Sequence, residues 1–138
     1  MDSGGCMNRL LNRTPLLEAV MEDRVEEAHV LLDAQADPTA RDSIGNSVLA
    51  YAVLNHRVDL AERLLAAGAD VNAQSRTGYT PLIIAAVHDQ AEIVRLLLAA
   101  GADLARVTVV GKHSALWFAE RRKLPQIVEL LRTAGAQQ

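Results

Sequence analysis

The sequence predicts an all-α solenoid of four helix–turn–helix units joined by extended β-hairpin loops. Three observations carry that prediction. Residues 80–101, TPLIIAAVHDQAEIVRLLLAAG, read as two short helices back to back. The pattern recurs at 33 residues: Gly68-Ala69-Asp70 precedes Gly101-Ala102-Asp103 by that interval, as Leu31-Leu32 precedes Leu64-Leu65 and Leu64-Leu65 precedes Leu97-Leu98. Between helix pairs stand stretches such as residues 37–46, DPTARDSIGN, whose Pro, Asp, Ser and Gly suit a hairpin.

Residues 1–13 carry Ser3, Gly4, Gly5 and Asn8 with little periodicity and read as a loose lead-in, with Leu10 and Leu11 folding back onto the first unit. A single domain is expected over 14–136, with units at about 14–42, 43–74, 75–107 and 108–136. In the first unit helices fall near 15–21 and 25–34, with a corner at Glu22-Asp23-Arg24. Glu18 takes the place of Tyr51, Ile84 and Phe118; with Glu22 and Glu26 it gives a terminal unit a wet outer face against end-to-end stacking. Gln35 stands where Gly68 and Gly101 stand, so a left-handed backbone there costs roughly 1 kcal/mol.

The second unit has helices near 47–55 and 58–66 around Asn55-His56-Arg57. In the third, Thr80 is an N-cap and Pro81 sits at the first helical position, where a missing N–H is harmless. Residues 82–87 are apolar on nearly all sides and must be covered on more than one face. After the polar corner at 88–90, Ile93, Val94, Leu97 and Leu98 form one stripe, and Gly101 is free to close the helix. The third hairpin, 102–113, is one residue longer than the second, 69–79, with apolar residues at its tip; His113 reads as the added, exposed residue. The last helices fall near 115–122 and 125–134, with Gln126, Glu129, Arg132 and Thr133 as the polar side of a C-terminal cap.

This period, with Thr-Pro-Leu at 14 and 80 and Gly-Ala-Asp at 68 and 101, resembles the ankyrin repeat, whose units open T-P-L-H-x-A. The resemblance covers Thr14 to Ala136. One departure stands out: Leu17, Ala50, Ile83 and Trp117 occupy the histidine position, so apolar contact must replace the family's Thr–His hydrogen bonds between repeats, and Ile83 should tolerate polar change poorly.

Composition narrows the options. The chain is half hydrophobic with four aromatics (Tyr51, Tyr79, Trp117, Phe118), so its core is Leu, Ala, Val and Ile. Charges interrupt the most apolar region, which excludes a transmembrane helix. Residues 1–13 lack the apolar segment of a secretory signal, which points to the cytoplasm unless a non-classical route exports the protein. Cys6 is a lone thiol. Arg outnumbers Lys by 12 to 2 and Ala is abundant, a composition compatible with a GC-rich bacterial genome. Residues 1–70 carry 6 basic and 12 acidic side chains, residues 71–138 carry 8 and 5, and such a gradient can orient a partner.

Chemistry is hard to find. The G-x-S-x-G elbow, the P-loop, G-x-G-x-x-G and H-E-x-x-H are all absent, so no catalytic residue and no cofactor is expected. His56 and His88 sit in successive helix corners; a metal-dependent accessory or enzyme built there is the rival reading, and solvated corner residues the favoured one. Asp37, Asp70 and Asp103 recur along one edge and read as side chains bonded to their own turns. Arg121-Arg122-Lys123 would give a nucleic-acid salt slope of only about −2.7, too shallow for purposeful binding by an acidic protein, so no nucleic acid is expected.

What remains is a protein-binding surface. Ankyrin repeats are expected to bind partners on the concave side, through hairpin tips and first-helix ends. Carried over by position, the tips give Arg41, Ser43, Ile44 and Asn46, then Gln74, Arg76, Thr77 and Tyr79, then Val107, Val109, Val110 and Lys112. The helices add Met21-Glu22, Leu54-Asn55, Val87-His88 and Arg121-Arg122. These 20 residues suffice for one partner, since an interface takes roughly 20–30 a side. Met21, Leu54 and Val87 form an expected apolar stripe. Tyr79 is either the best anchor or a brace for its neighbouring hairpin. Trp117 reads as packing more than as a contact. The uses that follow are occlusion of one partner by an inhibitor or immunity-type protein, favoured by the absence of a second domain or long tail, or a scaffold joining several partners. Self-association through the valine-rich third hairpin stays open.

Overall fold

The computed structural model describes residues 14–135; the lead-in with Cys6, Leu10 and Leu11, and residues 136–138, lie outside the described residues. Among the described residues eight helices follow one another: α1 (Pro15–Met21), α2 (Val25–Asp33), α3 (Val48–Leu54), α4 (Val58–Ala66), α5 (Pro81–Val87), α6 (Ala91–Ala99), α7 (Ala115–Arg121) and α8 (Pro125–Thr133). They fall into two compact units, one through Asp70 and one from Val71. In the first, α1 packs on α2 and α3 on α4 within each repeat, while α1·α3 and α2·α4 join the repeats. The second unit repeats this plan with α5–α8.

Local chemistry sets the helix limits. Each first helix is opened by a hydroxyl: Thr14, Ser47, Thr80 and Ser114 accept from the N–H groups of Leu17, Ala50, Ile83 and Trp117 at 3.1–3.2 Å. Each ends where a backbone N–H reaches back five residues, Arg24 to Ala19, Arg57 to Ala52, Gln90 to Ala85 and Leu124 to Ala119. The residue before each of these donors is left-handed: Asp23, His56, Asp89 and Lys123, with φ of 57–60°. His56 therefore occupies a corner that favours Asn, Asp or His for conformational reasons.

Second helices close in the same way, Ala36 to Leu31, Ala69 to Leu64 and Ala102 to Leu97. Gln35 does adopt the left-handed conformation of Gly68 and Gly101, with φ of 71°. Gln35→Gly is expected to stabilise the first unit by about 1 kcal/mol, raising Tm by about 3–5 °C in a thermal melt.

The loops between repeats are hairpins without a strand ladder. Among the described residues no strand forms, and a single antiparallel bridge joins Arg41 and Ser47. Each loop is closed by a tight turn, as where Ser75 N–H donates to Tyr79 C=O and Gly78 N–H to Ser75 C=O.

The first unit's core is Leu16, Leu17, Val20, Leu49, Leu60, Leu64 and neighbouring alanines; the second's is Leu82, Ile83, Ile93, Leu97, Leu116, Ile127 and Leu131. Helix α5 is buried from Pro81 to Ala86, as its all-round apolar sequence requires. At the C-terminal repeat, Glu120 stands where Val20, Val53 and Ala86 are buried in the others, and it pairs with Arg132. Gln126, Glu129, Arg132 and Thr133 are exposed. The N-terminal repeat is less polar than expected: Glu22 and Glu26 are exposed, but so is Val30, at 64%.

Among the described residues three carboxyls lie below the usual range. Asp23 is held down by Arg57, which donates Nε and Nη2 to its two oxygens at 2.8 and 2.6 Å. Asp37 is lowered by the hydroxyl and N–H of Thr39, and Asp103 by the N–H of Ala105 and then Arg106. A depressed folded-state value stabilises the fold above the unfolded carboxyl's pKa, about 3.9, and the contribution is lost as pH falls through the folded value. Melts should therefore show Tm dropping below about pH 4, and the drop should be smaller in Asp23→Asn.

Candidate functional site

The first tip is built around Asp42, which is buried. Its Oδ1 accepts from the N–H groups of Ile44 and Asn46 at 3.0 and 2.9 Å, and Oδ2 accepts the Tyr51 hydroxyl. This holds Ile44 outward, 55% exposed, while Arg41 and Asn46 stay half-buried. The Asn46 amide is directed to the Tyr51 oxygen.

The second and third tips are joined. Val109 N–H donates to Thr77 C=O at 2.8 Å, and the Gln74 amide donates to the carbonyls of Gly78 and Val107. Gly78, at φ 90°, permits this approach, because a Cβ there would lie 2.8 Å from Val109 N. Thr108 is buried and latches the third tip: its N–H donates to His113 C=O, its hydroxyl to Val110 C=O, and it accepts from His113 N–H. That leaves Val109 and Val110 outside, 56% and 82% exposed.

His113 is not the added, exposed residue of the third hairpin that the sequence suggests. The added residue of the third hairpin is Lys112, left-handed at φ 55° beside Gly111; His113 takes the place of Tyr79. The His113 ring is half-buried and stacks on Trp117, 3.4 Å between centroids and 10° from parallel. Arg121 lies over the same indole, 5.7 Å from its centroid. Phe118 meets His113 and Trp117 edge-on, and Tyr79 packs against it at 5.9 Å. Tyr79 thus braces the next repeat, and Trp117 is half-buried, with the His113 ring and the Arg121 guanidinium against it.

Other expected contact residues divide clearly. Arg76, Thr77, Lys112, Arg121, Arg122 and His88 are exposed, as is Leu54 at 36%. Met21 and Val87 are half-buried. Asn55 is committed elsewhere, its amide donating to Val20 C=O of the preceding repeat at 2.8 Å. The Asp42–Tyr51 pair and the His113–Trp117 stack were not foreseen. A signal existed for the first, since Asp42 and Gly45 bracket a turn.

The family model for ankyrin repeats, which spans three copies, matches residues 2–75 and 49–138. The chain belongs to the ankyrin-repeat family. No curated protein matches it significantly. Ankyrin repeats generally mediate protein–protein interaction, and here the family's usual histidine position is filled by the buried Leu17, Ala50 and Ile83 and the half-buried Trp117.

Of the recurring aspartates, Asp37 and Asp103 do bond to their own turns, through the N–H groups of Thr39 and Ala105 at 2.9 Å. His29 faces Arg63, whose guanidinium also reaches Asp33. Among the described residues no three His, Cys, Asp or Glu side chains gather as metal ligands, and no helix is long and apolar enough to cross a membrane.

Proposed function

We propose that this ankyrin-repeat protein is a non-catalytic module that binds one protein partner through its hairpin tips and first-helix ends, and acts by covering that partner. One observation supports this reading above the rest. Of the five large apolar side chains that are exposed among the described residues, Ile44, Leu54, Val109 and Val110 stand on tips or at a first-helix end, and Val30 does not. The fold's own hydrogen bonds run through Asp42, Thr108 and the hairpin backbone and need none of these four side chains, and exposed apolar groups of this kind mark contact surfaces.

The test is capture from native lysate with mass spectrometry. Wild-type bait runs beside Leu54→Glu/Val110→Asp, chosen because both positions are exposed, whereas Tyr79 is part of the packing. A near-equimolar partner lost in the variant is expected. Equal recovery by both baits contradicts the surface, and several weak partners in place of one would contradict occlusion and favour an adaptor.

A further inference from the structure

The second unit carries a surface whose chemistry specifies more than a generic protein contact. Its two tips are tied by the Val109–Thr77 and Gln74–Val107 hydrogen bonds, and the third tip is tied to α7 by the stack of His113 on Trp117 beneath Arg121. Tip and helix end are therefore one continuous patch. Residues 74–88 and 104–119 contain no Asp or Glu. Of the acids that directly follow these stretches, Asp89 is exposed and Glu120 is held by Arg132.

Against this stand Arg76, Lys112, Arg121, Arg122 and Lys123, all exposed and none with an ion-pair partner among the described residues. Arg106 shows the contrast, being neutralised by Asp103 at 3.1 Å. Val109 and Val110 project beside Lys112. Uncompensated cations around an apolar knob attract carboxylates and offer a place for one apolar side chain.

We propose that this face takes an acidic segment of another protein, one with carboxylates flanking an apolar residue; this rests on the protein-binding reading above. A second copy of the chain is the weaker source, although residues 1–70 carry 12 acids to 6 bases. Several of those acids are already engaged: Asp23 with Arg57, Asp33 with Arg63, Glu22 and Glu27 with Arg24, and Asp42 with Tyr51. A contact between the acidic half of one copy and the basic half of the next would also be head-to-tail, which builds open chains and not a closed dimer.

The test pans a random peptide library on the full chain, then measures binding of the enriched peptides by fluorescence anisotropy to wild type and to Lys112→Glu/Arg121→Glu. Circular dichroism melts check that the variant is folded. Enriched peptides should be net acidic with a large apolar residue, and the variant should bind them at least about tenfold more weakly, with the difference shrinking at high salt. Neutral or basic winners, or acidic peptides bound undiminished by the variant, overturn the acidic class while leaving the interaction module standing. Preference for a single-stranded oligonucleotide over the peptides, or concentration-dependent self-association that the variant abolishes, likewise overturns it. No enrichment, together with an empty lysate capture, overturns both readings.

Discussion

Ile83→Asn should lower the unfolding free energy by about 3–5 kcal/mol, whereas Ile83→Val should lower it by about 1. Ile83 is 1% exposed and lies in α5, which packs on α6 and α7. It fills the position where the family carries its bonding histidine. Asparagine there loses the apolar burial and also strands an amide in a site lined for hydrocarbon. Each effect is worth about 1–3 kcal/mol, and they add. Urea denaturation of the two variants measures the difference. A cost near that of Val for both would mean that the amide finds a partner and that the position is not sealed.

Gly78→Ala is the second large effect, about 2–4 kcal/mol. Two causes combine: a φ of +90°, and a Cβ that would meet Val109 N, Thr108 Cα and Val107 O at 2.8–3.0 Å, all backbone atoms that cannot swing aside. Gly68→Ala is the matched control, since φ is +108° there and nothing lies within 4 Å. It should cost about 1 kcal/mol, the strain alone. Hydrogen exchange adds a local readout: the Val109 amide, bonded to Thr77, should lose protection in Gly78→Ala and keep it in Gly68→Ala.

These two residues show how much of the molecule the sequence discloses. Helix limits were legible because their causes are local: a hydroxyl opens each first helix, and a left-handed residue closes each helix. Apolar stripes spaced 33 residues apart then identify the core. Contacts that depend on how one repeat lies on the next were harder to read. Asp23–Arg57 and Asp33–Arg63 join residues 34 and 30 apart, close to one period, so a search one repeat along could have found them. The packing of Tyr79 on Phe118 and the stack of His113 on Trp117 depend on the path of a loop with one added residue, which periodicity does not encode. The exposed valines were legible as apolar residues in a turn, and their outward direction follows only once Thr108 is seen to face inward.

That outward-facing set is the surface on which a partner should leave its footprint. Hydrogen–deuterium exchange of the full chain, with and without its captured partner, resolves the tips from the outer helices. Added protection is expected at residues 41–46, 74–79 and 107–113, with α2, α4, α6 and α8 unchanged. Protection confined to those second helices, with the tips exchanging as in the free protein, would contradict that.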